Sequence, residues 1–216
     1  MSDQPNFGAI LKKAFEHVLT EKFGSCVPPP SYCTPCGIRH LDTLLGGGLT
    51  SSAPVAFSST PESGKSTLAL QYCANFLKTH PNSVVAYIDT ESGAGDENSE
   101  ITDRIKVFGI DESRFLYRSF VGDIAQVFEL FEAFINFKIQ LQDKVGQEVF
   151  VLFVLDSIAS PGSSRDASAD DPNSVIGYKA RELSFTLSKY RQHLSMQRCS
   201  FIAIDQVRAN MQIQSR

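Results

Sequence analysis

The run Ser59-Thr60-Pro61-Glu62-Ser63-Gly64-Lys65-Ser66-Thr67 constrains this chain more than any other feature. The apolar residues 53–58 before it read as a strand, and residues 65–78 read as a helix that ends near Pro81. A strand that enters a helix through Gly-Lys-Ser-Thr has the form of a Walker A phosphate loop. Backbone N–H groups and the helix N-terminus would cradle phosphates, Lys65 would reach the outer phosphates, and the Ser66 hydroxyl would ligate Mg²⁺. Ser59 stands where the motif has its first glycine. Serine fits that position less well than glycine if φ is positive there.

Strands and helices alternate through the rest of the chain. Residues 83–89, 149–155 and 200–205 read as strands, with a short one at 115–117. Helices are expected over 99–108, after a cap at Asp123, and around Ala180, Leu183, Leu187, Tyr190 and Leu194. The buried face of the helix after Asp123 is expected to carry Ile124, Val127, Phe128, Phe131, Phe134 and Ile135. Such alternation implies a mostly parallel sheet with helices on both faces. Ahead of it, residues 5–24 read as an amphipathic helix with Phe7, Ile10, Leu11, Ala14, Phe15 and Val18 on one face. A breaker-rich linker with Pro28, Pro29, Pro30 and Pro35 follows over 25–36. The expected division is residues 1–36, helix and linker, and residues 37–216, an α/β core.

Ligands of open α/β sheets sit beyond the carboxyl ends of the strands. Two predicted strands end there in acid. Val151-Leu152-Phe153-Val154-Leu155-Asp156 has Walker B form and would deliver Asp156 to the Mg²⁺ shell. Ile88-Asp89-Thr90-Glu91 brings two more carboxylates, which strand alternation would point the same way. Glu91 is the candidate for positioning or deprotonating an attacking water.

Charge and cysteine usage set outer limits. The net charge of −4 does not mark a surface that grips phosphates throughout, although a local basic stripe is compatible with it. The longest apolar run, residues 149–155, is far too short to cross a bilayer, and the N-terminal MSDQPNF has no signal-peptide pattern. Five cysteines, an odd number, fit a reducing cytosol. Cys33 and Cys36, with Cys26 before and His40 after, have spacing compatible with zinc, but a lone C-x-x-C also suits a reduced, partly buried pair.

Five elements in this order resemble the RecA superfamily of recombinases, over about residues 37–210. The segment Gly37-Ile38-Arg39-His40-Leu41-Asp42-Thr43-Leu44-Leu45-Gly46-Gly47-Gly48-Leu49 is similar to the lead-in to that family's phosphate loop. Ile88-Asp89-Thr90-Glu91 resembles its strand with the catalytic glutamate, and Leu155-Asp156-Ser157-Ile158 its Walker B strand. Gly177-Tyr178-Lys179-Ala180-Arg181 looks like the helix start after the first DNA-binding loop. Ile204-Asp205-Gln206-Val207-Arg208 looks like the Asn-Gln-Ile-Arg element whose glutamine senses the γ-phosphate.

The resemblance implies a P-loop NTPase fold of RecA type that binds ATP and Mg²⁺, with Glu91, Lys65 and Gln206 catalytic. It implies a DNA-dependent ATPase of homologous recombination and repair, cytoplasmic, either at a nucleoid or in an infected host cell. It further implies single-stranded DNA contact through Arg165 and Arg208, adenine stacking by Arg104, and self-association into a filament or ring. The N-terminal helix resembles the segment that docks on a neighbouring subunit in bacterial RecA and phage UvsX proteins. The alternatives are a RecA-like ATPase, or a nucleotide-switched accessory, without strand exchange. Three departures bear on this. Ser59 replaces glycine, Asp205 stands where the family often has asparagine, and the chain stops ten residues after Gln206, as a fragment or a reduced relative would. The loop over 160–176 sets one arginine, Arg165, against Asp166, Asp170 and Asp171, so weak DNA binding with a shallow salt dependence is expected.

Overall fold

The computed structural model describes residues 7–24, 30–51, 53–91, 99–162 and 172–207. Two compact units divide the chain, Met1–Pro30 and Ser31–Arg216. In the first, α1 (Phe7–Phe23) exposes the apolar face that its periodicity marks, with Ile10, Leu11, Phe15 and Val18 all about half exposed or more. On its polar side, Lys12 pairs with Glu16 and His17 with Glu21, one turn apart.

The second unit is built on five parallel strands: β3 (Val55–Ser59), β4 (Ser83–Asp89), β5 (Phe115–Ser119), β6 (Phe150–Asp156) and β7 (Ser200–Gln206). Their order across the sheet is β3-β7-β6-β4-β5, so the expected Walker B strand runs through the middle and the strand before the phosphate loop lies at one margin. Apolar residues occupy both faces of the inner strands, which is why those strands read as continuous runs instead of alternating ones. Val85, Tyr87, Leu152, Val154, Ile202 and Ile204 pack with α3 (Lys65–Thr79) on one face. Ala86, Ile88, Val151, Phe153, Phe201 and Ala203 pack on the other with α5 (Ile124–Val145) and α6 (Pro172–Met196).

Helix boundaries follow local chemistry. Asp123 caps α5 by accepting the Gln126 N–H, and the Asp123 N–H in turn donates to the Gln126 side-chain oxygen. Gly146, at φ 68°, closes it in the left-handed region. The face expected for this helix is the one buried, with Phe134 only partly covered. α6 starts at Pro172, earlier than its apolar residues indicate, and α4 covers Ser99–Val107.

Two features differ from the sequence-based expectation. Residues 33–34, expected in the linker, form β1 (Cys33–Thr34), which pairs antiparallel with β2 (Leu49–Thr50). Between them lies a short unexpected helix, α2 (Arg39–Leu44). The Asp42 carboxylate holds this segment by accepting the amides of Cys36 at 2.7 Å and Gly37 at 3.1 Å. Hydrogen bonding with Cys36 lowers its pKa. At Gly48, φ 136°, an added Cβ would lie 2.1 Å from the Thr34 carbonyl oxygen, so only glycine lets β2 close on β1.

The C-terminal end of α3 is secured from two sides. The Arg114 guanidinium donates to the carbonyls of Leu77, His80 and Pro81 and pairs with Asp111 at 2.7 Å. The His80 ring stacks on Phe150 with centroids 4.3 Å apart, meets Tyr32 edge-on, and bonds Thr34 Oγ1 through Nε2 at 2.8 Å. Burial lowers the His80 pKa below its ordinary 6.5; Glu148 opposes the shift and Arg198 adds to it. The unfolded chain therefore binds a proton more readily than the fold does at this site. Its contribution to stability is present above pH 6.5 and is lost as pH falls through the lower folded value. Urea unfolding at pH 7.5 and pH 5.5 checks this: His80→Phe is expected to lose less stability than wild type across that interval.

Candidate functional site

Parallel pairing brings the carboxyl ends of four strands to one edge of the sheet. Ser59 is in register with Gln206, Ser58 with Asp205, and Asp89 with Asp156. The loop of residues 60–64 leaves β3 at this edge and enters α3 at Lys65. Gly64 precedes α3 at φ 88° with no side-chain cap on the helix, so the first-turn amides are left for an external acceptor. No atom lies within 4 Å of a Cβ built at Gly64, so glycine is required there by its dihedral and not by space. Glu62, at φ 59°, is a further left-handed residue of the loop.

Ser59 is extended. It ends β3, pairs with Gln206, and its carbonyl accepts the Val207 amide at 3.0 Å. The positive φ that would have required glycine is not found at this position. Thr60, Pro61, Glu62 and Ser63 are exposed, as is Thr67, whereas Lys65 and Ser66 are half-buried. The Lys65 ammonium donates to the Thr60 carbonyl at 2.8 Å and to the Ser59 carbonyl at 3.3 Å. A cleft of about 410 Å³ is lined by Ser59, Ser63, Gly64, Lys65 and Leu68, with Ala56, Phe57 and Ser58.

Asp156 is buried at the end of β6. Its Oδ2 accepts two hydroxyls, Ser66 Oγ at 2.6 Å and Tyr87 OH at 2.6 Å. Burial raises its pKa; the two donors oppose that rise, and the neighbouring Glu91 and Asp89 carboxylates add to it. Ser66 and Asp156, a hydroxyl and a carboxylate already joined, are hard oxygen donors of the kind that Mg²⁺ takes.

Asp89 and Glu91 do not point the same way, contrary to the strand-alternation argument. β4 ends at Asp89, and the Glu91 amide turns back to donate to Asp89 Oδ1 at 2.8 Å. That turn breaks the two-residue period. Asp89 Oδ2 accepts the Tyr117 hydroxyl of β5 at 2.6 Å, whereas Glu91 Oε1 accepts Gln206 Nε2 of β7 at 2.5 Å. The expected water-positioning acid and the expected phosphate sensor thus touch, across the strand that carries Asp156. Asp205 accepts Ser58 Oγ at 3.3 Å.

Arg104 lies exposed on α4. Arg165, Arg208 and Cys26 lie outside the described residues, as does most of the expected first DNA loop. Among the described residues no group of three or more His, Cys, Asp or Glu side chains is placed to hold a metal; Cys33 is exposed and Cys36 buried. Sequence reasoning missed Tyr87 and Tyr117, whose hydroxyls hold the carboxylates at the ends of β6 and β4. The available signal was a polar-tipped ring two residues before Asp89 in an otherwise aliphatic strand.

A protein-family model described as "ATPase: KaiC" matches residues 34–160, which include the loop, Glu91 and Asp156. The chain is 26% identical over 179 residues to "Protein RecA" of Arthrospira platensis, covering 82% of this chain and 43% of that protein. It is 27% identical over 202 residues to "Protein RecA" of Arthrobacter sp. (strain FB24), covering 93% and 52%. Similarity to "DNA repair and recombination protein RadB" of Thermococcus sibiricus is 33% over 129 residues, covering 57% and 49%. The chain spans about half the length of the curated relatives it matches.

The extended geometry at Ser59 has a measurable consequence. Replacing it with glycine adds backbone freedom without relieving strain, so Ser59→Gly is expected to lower stability by about 0.5–1 kcal/mol in urea unfolding. A gain in stability would instead indicate a left-handed residue there.

Proposed function

We propose, from the premise that this chain belongs to the KaiC ATPase family and carries a RecA-type ATPase core, that it binds ATP with Mg²⁺ and hydrolyses it in response to single-stranded DNA, in recombination and repair. The observation that carries this reading is the meeting of Glu91 and Gln206 at the strand-end edge that also holds the phosphate loop and Asp156.

In this reading the backbone N–H groups that the loop offers, from every residue but Pro61, and the α3 N-terminus bind the phosphates. Lys65 exchanges its bonds to the Thr60 and Ser59 carbonyls for the outer phosphate oxygens. Ser66 and Asp156 hold Mg²⁺, which when bound supplies positive charge to the phosphate oxygens. Glu91 accepts a proton from the attacking water, and Gln206 exchanges its bond to Glu91 for the γ-phosphate, which frees the carboxylate for that task. Arg104 stacks on the base, and Arg165 and Arg208 contact DNA. The exposed apolar face of α1 supports self-association into a filament or ring. The same reading places the chain in the cytoplasm. Among the described residues no helix is long and apolar enough to cross a membrane.

The second reading is a RecA-like ATPase or nucleotide-switched accessory without strand exchange. The KaiC family match and the net charge of −4 favour it. ATP turnover measured with and without single-stranded DNA separates the two. Stimulation supports the first reading, and turnover indifferent to DNA, or ATP binding without turnover, supports the second.

Two variants check the residue roles. Lys65→Ala is expected to weaken ATP binding roughly 10- to 100-fold, the worth of a charged hydrogen bond, while the fold persists. Calorimetric titration reads this, and unchanged affinity would remove the phosphate-loop assignment. Glu91→Gln is expected to keep ATP and lose turnover by about 10²–10⁴-fold, because an amide cannot accept the proton. Wild-type turnover in that variant would assign the role elsewhere.

A further inference from the structure

Tyr87 is buried in β4, in register with Val154 of β6 and Tyr117 of β5. Its side chain faces α3, as do Leu152 and Val154. Asp156 follows Val154 by two residues and so shares that face. The Tyr87 ring therefore passes beneath the first turn of α3, where its hydroxyl and that of Ser66 meet the same oxygen of Asp156, each at 2.6 Å. The terminal torsion of an aspartate is soft, so one hydrogen bond leaves the carboxylate plane free to turn. Two donors arriving from separate elements fix it. The Ser66 hydrogen is committed to Asp156, which leaves that hydroxyl oxygen with its lone pairs for a cation.

We infer that Tyr87 is a positioning residue for the proposed Mg²⁺ site: its hydroxyl holds Asp156 against Ser66, so that the two oxygen ligands stay together. This rests on the Mg²⁺–ATP reading above. A buried tyrosine hydroxyl needs some acceptor in any fold, and a merely structural role would appear in stability alone. The neighbouring Tyr117 provides the comparison. Its ring lies 5.8 Å from that of Tyr87, and its hydroxyl makes an equally short bond to Asp89 instead of Asp156.

The test titrates Mg²⁺ against the affinity for a fluorescent ATP analogue, starting in EDTA, with wild type, Tyr87→Phe and Tyr117→Phe. In Tyr87→Phe the half-saturating Mg²⁺ concentration is expected to rise about tenfold or more, the usual effect of removing a hydrogen-bond partner of a metal ligand. Affinity in EDTA is expected to stay within about twofold of wild type, and Tyr117→Phe to match wild type in both. In an Asp156→Asn background the Tyr87→Phe step should have no further effect on Mg²⁺. Equal half-saturation in wild type and Tyr87→Phe overturns the inference, as does the same shift in Tyr117→Phe or a loss already present in EDTA. In the wild-type chain, carbon-labelled at the tyrosine Cζ, the Tyr87 resonance is expected to move more than that of Tyr117 when Mg²⁺ is added to the nucleotide complex. A stationary Tyr87 resonance overturns the inference without recourse to a variant's folding. If wild-type ATP affinity ignores Mg²⁺ but Lys65→Ala still weakens binding, the metal site is wrong and the phosphate loop stands. If neither responds, the site reading itself falls.

Discussion

Parallel pairing of all five strands is the constraint from which the site follows. It sends every strand's carboxyl end to the same edge, so that Ser59, Asp89, Asp156 and Gln206, separated by up to 147 positions in the chain, arrive as neighbours. The inner strands can run this way only because both of their faces are covered, α3 on one side and α5 with α6 on the other. Burial on both faces in turn makes the central strand uniformly apolar up to its last residue. Asp156 is the first point at which β6 can carry a charge, and it does so with two hydroxyls in attendance.

The lead-in segment packs at the opposite end of the sheet, where Tyr32 meets Ser200 and Phe150 at the starts of β7 and β6. β1 and β2 close around α2, and the Asp42 carboxylate collects amides that the turn would otherwise leave without partners. Glycines in this segment are needed for different reasons. Gly48 is pressed against a carbonyl, whereas Gly64, in the phosphate loop, has open space and a left-handed backbone. The motif glycine absent at position 59 would have served neither purpose, because the chain there is still strand.

Long periodic segments were the legible part of this sequence. The strand over residues 83–89 and the Asp123 cap follow the expected pattern, and the phosphate loop lies between strand and helix as its spacing demands. What escaped was short or non-local. Two-residue strands such as β1 and β2 carry no period, and α2 has too few residues to show one. The start of α6 is hidden because Pro172, Asn173, Ser174 and Gly177, residue types that read as a turn, occupy its first turns. The divergence of Asp89 and Glu91 depends on a turn that alternation cannot foresee, and the Tyr87–Asp156 bond joins residues that only strand order makes adjacent. RecA-type character was visible in the order of motifs. Which side chains hold the carboxylates was not.

The order of the sheet also sets its stiffness. β6 is hydrogen-bonded along both sides, whereas β3, among the described residues, is bonded only to β7, and its side chains are at most half-buried. A strand held along one side opens more readily than one held along two. The loop thus hangs from a compliant margin, while Asp156 stands on the rigid middle. A molecule that engaged both would act as a splint across the sheet, and its grip would be felt as order in β3 well before any bond within it was broken.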